Sequence, residues 1–174
     1  MRADAQRNRE LVLRTAAEAF AAEGLSVSVH EIARRAGVGT GTVSRHFPTK
    51  QDLYAAVLLD RMRELTEEGR ELIAKTDPGT AFFDLLTRVV HQGRAHRGVA
   101  DALAGACFDV TAVARESGWD VSELLESLLH DAQQAGAVRP DVTFAHVKAL
   151  MAGCLACEGP DCDRVIDVVC RGLR

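Results

Sequence analysis

Apolar residues recur at helical spacing along most of the chain. Over residues 4–23, Leu11, Thr15, Ala16, Ala19 and Phe20 mark one face of a helix. Asp4 is placed to cap it, and Gly24 to end it in a left-handed turn. A tighter pattern follows. Ser28 is an N-cap residue type with Glu31 three positions on, the spacing of a capping box. Ile32, Ala33 and Ala36 give residues 28–36 one apolar side, which Gly37 terminates. Val38 is predicted as a buried plug in the turn. A second short helix is predicted from Thr40 to His46, with Val43 and Phe47 facing inward. Thr40, Gly41, Thr42, Ser44, Arg45 and His46 are left on its outer side.

Thr49, with Asp52 in capping-box position, restarts a helix over about 50–74, on the order of 35 Å long. Leu53, Tyr54, Val57 and Leu58 give its first half an apolar stripe. Asp77-Pro78 opens a helix to about Ala95, with Phe82, Phe83, Leu86, Val89 and Val90 on its apolar face. Residues 96–110 continue as a shorter helix after a break near Gly98. Further helices are predicted over 120–135, capped by Asp120, over 142–157, capped by Asp141, and over 163–172. No strand-like alternation persists. The expectation is an all-α chain of nine helices, without repeats or low-complexity tracts.

Composition sharpens this picture. Of 174 residues, 47% are hydrophobic and 26% charged, which suits a globular chain long enough to bury a core. The net charge of −4 hides a split. Residues 1–50 carry eight Arg and Lys against five Asp and Glu, a balance of +3, and the remainder carries 13 against 20, or −7. A basic head on an acidic body suits nucleic-acid binding. No apolar run reaches membrane-spanning length and the N-terminus is too polar for a secretory signal, so a cytoplasmic protein without a membrane partner is expected. Five cysteines in a reducing compartment do not imply a disulfide framework.

Spacing alone leaves residues 28–50 open to two readings: an ordinary surface corner, or a helix-turn-helix whose second helix enters a DNA major groove. The wording adds to this. IARRAGVGTGTV followed by RHFPTKQDLYAAVL resembles the DNA-binding domain of the tetracycline-repressor-like (TetR/AcrR) family of bacterial transcription regulators, over about residues 7–60. The resemblance implies that Thr40, Gly41 and Thr42 meet bases or nearby phosphates, that Arg45 does either, and that His46 and Lys50 bind phosphate. Ser28 joins this DNA-binding set. Helix N-terminal amides at 41–42 and 50–51 are expected to add dipolar contacts. One residue departs from the pattern: the family usually carries Tyr where this chain has Ser44, so the contact there is altered. The resemblance also implies a head over residues 1–50, a body over 51–174 joined by the 50–74 helix, and an effector pocket in the body. Phe82, Leu86, Phe108, Trp119 and Met151 are its expected lining, with His91 or Asp109 as polar handle.

The last two predicted helices are rich in small and apolar residues. Ala149, Ala152, Gly153, Ala156, Val165, Val168 and Val169 supply more apolar surface than one small body covers, which marks an interface. Two copies about a two-fold axis form a four-helix contact, and the resemblance implies the same homodimer. The reading is therefore a DNA-binding transcriptional regulator, a repressor released from a near-palindromic operator by a small-molecule effector. The alternative is a thiol or metal sensor using Cys154, Cys157, Cys162 and Cys170, although their spacing fits no zinc finger or ribbon. The histidines lack the paired spacing of a catalytic metal motif, and no nucleotide-binding loop or nucleophile elbow occurs. No enzymatic activity, metal or cofactor is expected.

Overall fold

The computed structural model describes residues 2–105, 109–159 and 161–174. They form ten α-helices and one short 3₁₀ turn, Gly24–Ser26, with no strand among the described residues. In order these are α1 (Arg2–Glu23), α2 (Val29–Arg35), α3 (Thr40–His46), α4 (Lys50–Lys75), α5 (Pro78–Ala95), α6 (Arg97–Gly105), α7 (Val110–Glu116), α8 (Val121–Gln134), α9 (Phe144–Ala156) and α10 (Cys162–Leu173). The all-α expectation holds, with one helix more than the nine predicted. The stretch read as one helix over 96–110 is two: Asp109 lies outside helical geometry and its carboxylate accepts from Ala112 N, which opens α7. The break before α6 falls at His96, not near Gly98.

Three cap assignments also change. Asp4 lies inside α1 and pairs with Arg7. Asp141 is held by Arg139, while Thr143 caps α9 two residues later with His146 returning its ring nitrogen to the cap amide. Glu31 does not reach back to the Ser28 amide, because Arg34 and Arg35 occupy its carboxylate. Val38 is half-buried, not a buried plug.

The residues cluster into two compact units, Met1–Arg61 with Ala95–Gly118, and Met62–Arg94 with Trp119–Arg174. The division between them passes through α4, the helix expected to join head and body. The first unit claims the start of α4 because Leu53, Tyr54 and Val57 are buried. The Tyr54 ring meets Phe20 of α1 edge-on, with centroids 5.0 Å apart. The core of this unit takes Val12, Leu13, Ala16 and Phe20 from α1, Ile32 and Ala33 from α2, and Val43 from α3. Each large aliphatic or aromatic side chain there contributes about 1.5–3 kcal/mol. Gly37 holds φ +66° at the turn between α2 and α3, a backbone state that any Cβ would strain.

The second unit is built on Phe82, Leu85 and Leu86 of α5, Leu125, Leu128 and Leu129 of α8, Val147 of α9 and Leu173 of α10. Gly69 of α4 sits where side chains of α5 and α8 press in. A Cβ there would stand 2.6 Å from Leu124 Cδ2 and 3.0 Å from Leu85 Cδ2.

Candidate nucleic-acid interface

The sequence of α3 fixes which side it shows. Val43 is fully buried and Phe47, just past its end, is 5% exposed. Residues three and four apart share a helix face, so Thr40, Gly41, Ser44 and Arg45 fall together on the opposite side, and all four are exposed. Thr42 and His46 flank that face and are half-buried; the His46 ring lies 6.2 Å from that of Phe47. Gly39 caps α3 without a side chain, and the Thr42 amide donates to Gly39 O at 2.9 Å. That amide, one of those expected to meet phosphate, is thus already used inside the turn. At Gly41 a Cβ would meet nothing within 4 Å. Packing within the chain therefore does not ask for glycine there, although glycine in a helix costs about 1 kcal/mol relative to alanine.

The neighbouring polar groups are held in place. Ser28 Oγ accepts from Glu31 N at 3.1 Å and so caps α2. Lys50 Nζ donates to Leu25 O at 2.6 Å and lies 5.7 Å from the Tyr54 ring centroid. An ammonium has three donors, so this anchor leaves others for an outside oxygen. Thr49 and Asp52 exchange cap bonds at the start of α4, as expected. Arg45 makes no hydrogen bond or ion pair among the described residues. Arg34 and Arg35 are placed differently. Both grip Glu31, and Arg35 also reaches Glu23 of α1. The Arg34 guanidinium, then that of Arg35, holds the Glu31 carboxyl down to about 2; Glu31 in turn raises Arg34, while Glu23 and then Glu31 raise Arg35. Two of the head's cations are therefore already neutralised.

The structure adds a residue that sequence reading missed. His30 Nδ1 lies 3.2 Å from Thr40 Oγ1, so α2 touches the first residue of α3 through a side-chain pair. Its only sequence signal is a polar ring in the first turn of α2.

The second unit scatters the expected effector lining. Leu86 and Met151 line an apolar cleft with Val90, Cys154, Ile166 and Val169, but its volume is about 10 Å³. That is room for about one water, against several hundred Å³ for a typical ligand site. Phe82 is fully buried core. Trp119 is half-buried under the Arg70 guanidinium, 5.8 Å from its ring centroid. His91 is exposed, 3.8 Å from Asp163 Oδ1. Asp109, which clusters with the first unit, caps α7. Phe108 lies outside the described residues.

The small and apolar positions on α9 and α10 remain uncovered. Ala149, Ala152, Gly153 and Ala156 are exposed, Val165 and Val169 are half-buried, Val168 of α10 is 60% exposed and Leu150 of α9 38%. Of the cysteines, Cys154 and Cys162 are buried, Cys157 and Cys170 half-buried, and Cys107 lies outside the described residues. Burial pushes the Cys154 and Cys170 thiols up. Among the described residues no group of three or more His, Cys, Asp or Glu stands close enough to hold a metal ion.

Comparison with known proteins covers both units. Residues 12–57 match the family described as bacterial regulatory proteins, tetR family, and residues 77–174 match the C-terminal domain of transcriptional regulators similar to SbtR. A TetR transcription regulatory protein from Mycobacterium vanbaalenii is 46% identical, with TM-score 0.80 over 99% of this chain and 98% of that one. A TetR transcriptional regulator from Streptomyces coelicolor is 30% identical, with TM-score 0.79 over 95% and 98%. The HTH-type transcriptional regulator UidR of Escherichia coli strain K12 is 25% identical over 155 residues, 87% of this chain and 79% of that protein.

Proposed function

The chain belongs to the TetR family of bacterial transcriptional regulators and carries its helix-turn-helix DNA-binding domain; from that premise we propose that it is a cytoplasmic homodimeric repressor released from its operator by a small molecule. The observation that carries this reading is the outward face of α3, polar and cationic, pinned from behind by Val43 and Phe47. That face has the size and chemistry to meet base edges in a major groove. Arg45, Thr40 and Thr42 are the proposed readers. Gly41 lets the helix approach closely, and Ser44 leaves space where a larger side chain would reach the groove. Ser28, His46 and Lys50 are proposed to position the head on phosphates, which fixes register without reading sequence.

The uncovered α9 and α10 faces support a two-fold dimer. Two heads would then meet a near-palindromic operator in successive major grooves, about 34–36 Å apart. The effector is proposed to enter the second unit and to widen the cleft at Leu86 and Met151. It acts only by preferring the conformation that binds DNA less well. α4 contributes residues to both units and is the proposed carrier of that preference. No described helix is long and apolar enough to cross a membrane, in keeping with a DNA-binding role.

Selection from a random duplex pool, followed by footprinting, tests the reading. The expected result is one near-palindromic site, protected on one face over two adjacent major grooves. Recovery of no preferred sequence overturns it.

A further inference from the structure

The first residue of α10 packs back on the end of α9. Cys162 opens α10 and is buried, and its Sγ–H faces back on the turn, 3.2 Å from Cys157 O and 3.1 Å from Gly159 O. Cys157 closes α9 and is half-buried, its Sγ 4.0 Å from Glu158 O. Only residues 158–161 separate them in the chain. Cys154 and Cys170 belong to a different contact, packed with Val90 and Ile166 in the core. The pair therefore joins a half-buried cysteine to a buried one whose sulfur lies against the other's carbonyl.

We propose that Cys157 and Cys162 form a reversible dithiol–disulfide site whose oxidant is a hydroperoxide. The Cys157 thiolate attacks the peroxide; an S–O bond forms, the O–O bond breaks, and the leaving oxygen departs as water or alcohol with the proton lost from Cys157. The Cys162 sulfur then attacks the sulfenic sulfur; the S–S bond forms, the S–O bond breaks, and hydroxide leaves as water with the Cys162 proton. Two thiols are oxidised by two electrons and one peroxide is reduced. The order follows from access: Cys157 is the more exposed sulfur. Hydrogen bonding to Cys157, and then burial, push the Cys162 thiol up, which suits the resolving step better than the first attack.

Closing the bond withdraws the Cys162 thiol from the carbonyls of Cys157 and Gly159 and ties the end of α9 to the first residue of α10. Both helices carry the exposed apolar face. The consequence for DNA binding rests on the dimer proposed above, whereas bond formation does not.

The test treats reduced full-length protein with hydrogen peroxide, blocks remaining thiols with N-ethylmaleimide and maps peptides by mass spectrometry. The expected result is loss of two reactive thiols per chain, a linked Cys157–Cys162 peptide lighter by two hydrogens, and full reversal by dithiothreitol. Cys162→Ser leaves Cys157 as a dimedone-reactive sulfenic acid, and Cys157→Ser leaves Cys162 unmodified. If both thiols of the wild type stay reactive, or the bond maps to Cys154, Cys170 or a second chain, the pairing is overturned. Sedimentation of the oxidised protein is read separately: a weaker dimer supports the coupling to the interface, and an unchanged one overturns that coupling alone.

Discussion

α3 and α10 each bury one side and show the other to solvent, and the exposed sides differ in that only α10 shows a large aliphatic residue. α3 hides Val43 and shows Thr40, Gly41, Ser44 and Arg45. α10 hides Cys162, Ile166 and Leu173 and shows Val168 among Asp163, Arg164, Asp167 and Arg171. A polar, cationic face suits a partner that is charged and hydrated, and its binding weakens steeply with salt. An apolar face suits a partner that removes it from water, and that association is much less sensitive to screening. One chain therefore presents two faces that respond to different conditions, and variants on each should separate them.

The largest effect is expected at Val168. It is 60% exposed in the single chain, so Val168→Glu should leave folding within about 0.5 kcal/mol of wild type. In a dimer the new charge is desolvated at the seam, a cost that Arg164 and Arg171 offset only in part, and dimerisation should weaken by about tenfold or more. Light scattering and thermal melting check the two halves; a variant that still dimerises normally places the interface elsewhere. Arg45→Ala and Lys50→Ala come next. Arg45→Ala should lose about 1–3 kcal/mol on the preferred site and relax its sequence preference. Lys50→Ala should weaken binding to all duplexes alike and reduce the salt slope by about 1. Binding to operator and random duplex at several salt concentrations decides, and a sequence-selective loss for Lys50→Ala would move Lys50 to the base-reading set.

A smaller and sharper contrast lies at Gly41. Nothing in the chain fills the space a Cβ would take, so Gly41→Ala should stabilise the head by about 0.5–1 kcal/mol and yet weaken operator binding. Stability and affinity moving in the same direction would mean that Gly41 faces away from DNA. Ser44→Tyr should move the other way at the same face, adding contact area and strengthening or shifting site preference; a selection that returns the same site with the same affinity removes position 44 from the interface.

The smallest effect concerns Glu31. Its carboxyl is held at about 2 in the folded head against an ordinary value of 4.5. A depressed acid contributes stability above its unfolded pKa and loses it as pH falls through the folded one. The head should therefore lose stability between about pH 4.5 and 2, and Glu31→Gln should flatten that part of the curve. The same variant frees Arg34, leaves Arg35 to Glu23, and should raise non-specific DNA binding in low salt.

The head was more legible in the sequence than the body, and the cause is locality. Ser28, Gly37, Thr49 and Asp52 act on neighbours within four positions, so α2, α3 and the start of α4 could be placed to within a residue. In the body, Asp141 and Thr143 were both suitable caps, and the choice fell to Arg139, whose guanidinium engages Asp141. Asp109 looked like a free carboxylate because nothing nearby in sequence marks α7. Aromatic side chains do not announce whether they fill a core or line a pocket: Phe82 proved to be fully enclosed, while Trp119 lies under Arg70. The His30–Thr40 contact joins residues ten apart across a turn, and its geometry exists only once α2 and α3 are folded.

The absent side chain at Gly69 has a mechanical consequence. Methyl groups of Leu85 and Leu124 occupy the space that any other residue would fill, so they sit in α4 as a pawl sits in a notch. A helix seated this way resists gradual sliding, because each small displacement meets a neighbouring residue before it reaches another gap. It leaves its seat in one step or not at all. Graded input to the second unit would then emerge as a discrete click, and Gly69→Ala, whose Cβ would press on Leu124 and Leu85, would hold the part off its seat.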